Sequence, residues 1–258
     1  MSRRYDQSTT TFSPEGRLHQ VEYAIEAINN AGTCLALQST DGIVLAAERR
    51  VVSKLLAPSK ASEKTYVIDN HVVGLVAGLT SDATILINQA RLASQRYLYT
   101  YQQPMPVEQV VKNVCNYKQA YTQYGGLRPF GTAFLFAGWD SNFGFQLYQT
   151  DPSGNYSGWK ATVIGQNNQA GKSILKTDYS ENNTVEKNLK ISIKILLKTM
   201  DSTTPSPERI ELSVLRKEDD GTISHYTFNE REVSALIEEI QKEVEAEQKK
   251  AEATSGDI

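Results

Sequence analysis

Two pairs of apolar runs double back within the first third of the chain, and they constrain the fold more than any other feature. Residues 33–39 and 43–49 read as strands joined at Asp41-Gly42, and residues 65–68 and 72–77 as strands turning at Asp69-Asn70. An Asp-Gly pair tolerates the left-handed backbone that a tight hairpin demands, so it predicts antiparallel pairing across the turn.

The rest of the chain repeats this alternation of strand pairs and helix pairs. Ser13-Pro14-Glu15 reads as a helix start, with a hydroxyl to cap, a proline at the first position and an acid facing the dipole. Leu18, Val21, Ile25 and Ile28 then share a face, and Asn29 to Gly32 end the helix. Two helices follow at 81–101 and 106–124, the second opened by Pro106 and closed by Gly125-Gly126. Strands are predicted at 132–138, 144–150 and 158–164, helices at 167–178 and 185–199, strands at 208–216 and 222–228, and a charged helix at the C-terminus. Hairpin strands imply antiparallel sheets, and paired helices imply a layer over each sheet. The expected order of layers is helices, sheet, sheet, helices. With 258 residues, 40% of them hydrophobic, and no linker or internal repeat, one large domain is expected.

Several kinds of function are disfavoured by composition and spacing. A net charge of −3 argues against a nucleic-acid surface spread over the whole protein. Cys34 and Cys115 make no disulfide framework and read as reduced, intracellular thiols. The first residues lack the apolar run of a secretory signal, and no stretch approaches membrane-spanning length. His19, His71 and His225 are too dispersed for a metal site. In "VIGQNNQAGKS" five residues, not four, separate Gly165 from Gly171-Lys172-Ser173, which turns the amides of a phosphate loop out of register. An ordinary turn in which Asn167 or Asn168 caps a helix is expected there, and in "YGGLRPFG" a surface turn with Arg128 available for an ion pair.

Gly32-Thr33 carries the sharpest chemical possibility. A threonine freed at a new N-terminus is a nucleophile with its own amine as base, tuned by a nearby lysine and carboxylate. Thr33, Glu48 and Lys64 supply those residue types, so cleavage at Gly32-Thr33 would give a threonine-nucleophile hydrolase. Such cleavage would discard the helix before it, although a disposable leader needs no cap, apolar face or terminator.

The stretches Tyr5-Asp6, Thr10, Phe12-Ser13-Pro14, Gly16-Arg17 and Gln20-Val21-Glu22-Tyr23-Ala24 resemble the N-terminal signature of α-type subunits of the eukaryotic proteasome core particle. The resemblance continues through "DGIVLAAERR", "SEKTYVI", "VAGLTSDA", "YTQYGGLRPFG", "DPSGNYSGWKA" and "KTMD", to about residue 237, and the last three look most like the subunit third in the ring. It implies an α+β fold, a four-layer αββα sandwich of two antiparallel sheets on the N-terminal-nucleophile hydrolase plan. It also implies a gate tail at 1–12, one domain at 13–237 and a charged tail at 238–258.

In β-type relatives a new N-terminal threonine cleaves peptides. In α-type subunits the prefix stays, its helix covers the cleft, and no catalysis, cofactor or metal is expected. Aligning Asp41-Gly42 and "LAAERR" without gaps puts Gly32, not Thr33, at the nucleophile position, Glu48 at the aspartate position and Lys64 near the lysine position. The implied function is to build the heptameric outer ring, gate substrate entry and dock activators in protein degradation, with or without ubiquitin. Tyr5, Asp6, Pro14 and Tyr23 match the cluster that holds the open gate. Lys64 matches the lysine that receives an activator's C-terminal carboxylate, helped by backbone donors near Gly78. Gln7-Ser8 departs from the family, which usually carries an arginine there. The implied partners are other α subunits, β-ring subunits, regulatory ATPases and other activators, and assembly chaperones, with no membrane or nucleic acid, in cytoplasm and nucleus.

Overall fold

The computed structural model describes residues 9–49, 55, 62–200 and 206–255, with side chains described as far as residue 242. The strands are β1 (Cys34–Gln38), β2 (Gly42–Glu48), β3 (Thr65–Asp69), β4 (Val72–Gly78), β5 (Thr132–Asp140), β6 (Gly144–Thr150), β7 (Tyr156–Gly158), β8 (Ala161–Ile164), β9 (Ile210–Lys217) and β10 (Ile223–Thr227). The helices are α1 (His19–Asn29), α2 (Thr80–Tyr101), α3 (Val107–Gln123), α4 (Asn168–Asp178), α5 (Val185–Thr199) and α6 (Glu230–Ser255). One five-stranded sheet has the order β10-β9-β2-β1-β8, the other β3-β4-β5-β6-β7. Every pairing is antiparallel.

Strand alternation builds three apolar layers. Cys34, Ala36, Ile43, Leu45, Val73, Leu75, Ala133 and Leu135 point between the sheets. Their neighbours Leu35, Leu37, Val44 and Ala46 point outward under α4, α5 and α6. Val72, Val76, Phe134 and Phe136 do the same under α2 and α3. β1, β2, β4 and β5 are buried along nearly their whole length because helices cover both outer faces, where a half-solvated sheet would show alternation. The αββα order is the one expected.

Two local expectations are corrected, and a third is met only in part. The first helix does not start at Ser13. Residues 13–17 close a turn instead: Gly16 N donates to Ser13 O (2.9 Å), Ser13 N to Arg17 O (2.9 Å) and Arg17 N to Ser13 Oγ (3.2 Å). Gly16 has φ +77°, which no right-handed helix passes through, so Ser13 closes a turn and α1 begins at His19. On α1 only Val21 and Ile28 are fully buried, while Ile25 lines a cleft.

The run expected at 158–164 is two strands in different sheets. β7 pairs with β6, the chain crosses at Trp159-Lys160, and β8 pairs with β1. A strand that switches sheets makes the corner of a sandwich. Asn167 stands at the N-cap of α4 as expected, but without a side-chain capping bond: the Asn167 and Asn168 side-chain amides donate to Thr199 O and Gly165 O. α6 runs unbroken across 237–238, with Ile237 and Ile240 both buried against the outer core. At α3, Pro106 stands at the N-cap, and the Val107 amide is taken by the Asp140 carboxylate of β5 (3.1 Å).

Candidate functional site

α1 packs against the end of the sandwich, and the chain passes from it into β1 through Ala31, Gly32 and Thr33. This passage is clamped on two sides. Gln166 N donates to Ala31 O (2.8 Å), and Gly165, at φ +89°, lies so close that a Cβ there would sit 2.7 Å from Gly32 O. Thr33 is wholly buried, and its hydroxyl donates to Gln166 O (2.9 Å). On the other side a Cβ at Gly32 would lie 3.1 Å from Glu48 O, 3.2 Å from Lys64 Nζ and 3.6 Å from Glu48 Cβ. Gly32, Glu48 and Lys64 therefore do meet, as the gap-free register predicts. The hydroxyl that the alternative reading needs is turned away from them.

The charges around Gly32 are arranged for holding, not for proton transfer. Lys64 Nζ donates to Gly32 O (3.1 Å) and lies 3.5 Å from Cys34 Sγ. The Glu48 carboxylate, buried beside it, pairs with Arg209 (2.9 Å). Burial pushes the Cys34 thiol up, and the Lys64 ammonium only partly opposes that, so the sulfur stays a neutral thiol. Beside α1 a cleft of about 380 Å³ remains, lined by Ile25, Asn29, Asp151, Gly165 and Lys172 among others.

A residue that sequence reading missed holds this corner. The Glu211 carboxylate of β9, 6% exposed, accepts from three successive backbone amides: Glu63 N (2.9 Å) and Lys64 N (3.3 Å) on Oε2, and Thr65 N (2.8 Å) on Oε1. Val76 N in turn donates to Lys64 O (3.0 Å).

Gly78 ends β4, two residues beyond Val76. It has φ +113°, and a Cβ there would come within 2.2 Å of Gly131 O, so packing alone demands glycine. The next amide, Leu79 N, already donates to Gly131 O (2.9 Å). The loop carrying Gly131 is tied down by Arg128, whose guanidinium grips the Asp82 carboxylate of α2 at 2.6 and 2.8 Å. The Arg128 hydrogen bonds hold the Asp82 carboxyl below its usual range. This is the ion pair expected of "YGGLRPFG".

Of the residues matched to the gate, Tyr5 and Asp6 lie outside the described residues. Pro14 is exposed on the 13–17 turn, and Tyr23, half exposed on α1, stacks on His19 at 6.3 Å between ring centroids. Arg17 and Glu22 join the turn to α1 by paired bonds of 2.6 and 2.7 Å. Among the described residues no group of three or more His, Cys, Asp or Glu is arranged to hold a metal, and no helix is long and apolar enough to cross a membrane.

Two family models match the sequence, one for proteasome subunits over residues 28–215 and one for the N-terminal signature of A-type proteasome subunits over residues 5–27. Curated relatives described as proteasome subunit alpha type-4 are similar over most of their length. The chain is 56% identical to one from Spinacia oleracea across 93% of this chain and 96% of the relative. It is 61% identical to one from Petunia hybrida across 83% and 86%, and 54% identical to one from Dictyostelium discoideum across 96% and 99%.

Proposed function

The chain belongs to the proteasome subunit family, and from that premise we propose that it is a non-catalytic α-ring subunit of the core particle, a type-4 member that helps close and open the axial pore. The observation that carries this reading is the buried passage at Ala31-Gly32-Thr33. A nucleophilic threonine needs a free amine and an unobstructed hydroxyl, whereas Thr33 is peptide-bonded within a clamped segment and its hydroxyl is engaged by Gln166 O. The hydrolase alternative would require α1 to leave a site where Ile28 is 5% exposed in the inter-sheet core.

In this reading residues 2–12 reach over the pore, with Tyr5 and Asp6 acting beside Pro14 and Tyr23. Neighbouring α subunits and β-ring subunits complete the assembly, and activators and assembly chaperones are further partners. The expected ring position is the third, and the expected compartments are cytoplasm and nucleus, in keeping with two free buried thiols. Lys64 is the proposed receiver of an activator's terminal carboxylate: among the described residues no carboxylate pairs with its ammonium, and its present partner, Gly32 O, is one a carboxylate could replace.

Deleting residues 2–12 is the test. Peptide hydrolysis by the assembled particle without activator should rise while the particle still assembles. An unchanged basal rate would refute a gating role for this tail.

A further inference from the structure

Glu211 is a charged side chain placed where charge is costly, in the layer between the sheets, and its surroundings say what compensates it. A carboxylate offers two oxygens and about four lone pairs, and here three converging N–H groups from Glu63, Lys64 and Thr65 engage both oxygens. Glutamine could offer only one acceptor, and its NH2 would face donors. No arginine or lysine forms an ion pair with Glu211 among the described residues, although the Arg49 guanidinium is near enough to feel its charge, so backbone amides supply its hydrogen bonds.

The consequence falls on Lys64. Its carbonyl is held by Val76 N and its amide by Glu211, so its main chain is fixed from both sides at the entry to an edge strand. The clamp also joins the two sheets, because Glu211 stands on β9 and Thr65 opens β3. A lysine stem has four rotatable bonds, and fixing its root determines which of its rotamers put Nζ at Gly32 O.

We propose that Glu211 is a positioning residue for the Lys64 ammonium, and that it thereby sets how tightly this subunit receives a partner peptide ending in a free carboxylate. The inference rests on the docking reading of Lys64. Glu211 itself does not touch the peptide.

The experiment uses assembled particles carrying Glu211→Gln, Lys64→Ala or both, and a short photoreactive peptide with a free C-terminal carboxylate, its C-terminal amide serving as control. Crosslinking to this subunit is quantified by mass spectrometry as a function of peptide concentration. Glu211→Gln should weaken carboxylate-dependent crosslinking by about tenfold, the equivalent of one hydrogen bond to a charged group. In the double variant the loss should be no greater than for Lys64→Ala alone, because Glu211 acts only through Lys64.

Losses that multiply in the double variant would show Glu211 to be a general fold clamp and overturn the proposal. So would a Lys64→Ala loss with no Glu211→Gln loss, which leaves the docking reading standing. If Lys64→Ala changes nothing, the docking reading itself fails and takes this role with it. Should Glu211→Gln prevent assembly, Glu211→Asp, which keeps the charge but draws the carboxylate back by a methylene, replaces it in the same cycle. It should give a smaller loss that again disappears on the Lys64→Ala background, and an equal loss on both backgrounds would overturn the proposal.

Discussion

Lys118 of α3 is a fully buried lysine whose partners on β5 and β6 predict a measurable pH dependence. Its ammonium donates to Thr150 Oγ1 (3.0 Å) and lies 5.4 Å from the centre of the Phe134 ring. Burial pushes it from the ordinary 10.5 down to about 8, opposed only weakly by Cys115 and Asp151. The unfolded chain therefore binds this proton more tightly than the folded one. Stability should rise as pH climbs from about 8 to 10.5, and below that window the charged lysine costs about 3 kcal/mol.

Lys118→Met keeps the length and the apolar stem, removes that cost and forfeits a hydrogen bond worth about 1 kcal/mol. The variant should be more stable by about 2 kcal/mol at pH 7, or by about 5 °C in Tm. Above pH 10.5 wild-type Lys118 is neutral in both states, so only the lost hydrogen bond remains and the variant should be the less stable chain by about 1 kcal/mol. Thermal unfolding of both chains across that range is the assay. A variant less stable at pH 7, or a gap independent of pH, would refute the reasoning, because either result means that the ammonium is compensated in the fold.

Three further substitutions test other parts of the structure. Arg128→Ala leaves the Asp82 carboxylate, 8% exposed, without its guanidinium. It should cost about 2 kcal/mol at neutral pH. Because Asp82 is held below its usual range, the stability it contributes is present above that range and lost as pH falls through the folded value. Urea unfolding should therefore show less acid sensitivity in the variant. Gly78→Ala forces a Cβ to within 2.2 Å of Gly131 O at φ +113°. It should destabilise the β4–α2 corner by more than about 3 kcal/mol, read as faster amide exchange there, and wild-type protection would contradict the packing account. Ser94→Ala removes from the middle of α2 a wholly buried hydroxyl that has no hydrogen-bond partner among the described residues. It should raise stability by about 1 kcal/mol in the same unfolding assay.

What could be read from sequence was what neighbours in sequence determine. Asp41-Gly42 announced its hairpin, and the resemblance, read without gaps from that turn, brought Gly32, Glu48 and Lys64 to one place, where they meet. What could not be read depended on distant partners. Ser13-Pro14-Glu15 has the local chemistry of a helix start, but the turn is settled by Gly16 and by Arg17 O. Residues 158–164 have the same apolar character in either sheet, and only the free edges of β6 and β1 decide where the chain divides. Glu211 is one acid in an apolar strand, and its amide partner Thr65 lies 146 positions away. Asp140 caps α3 from a strand that follows the helix. Buried carboxylates on backbone amides leave no spacing pattern, so composition conceals them.

The crossing at Trp159-Lys160 makes the two sheets parts of one mechanical body. Trp159 N hangs on Leu147 O of one sheet, and Lys160 O receives Gln38 N of the other, so adjacent residues of a single chain hold both plates. Sliding one plate over the other would stretch a peptide link that has no slack, and tilting one would drag the other with it. Motion at a pore built from such bodies would fall to whatever is attached outside that frame.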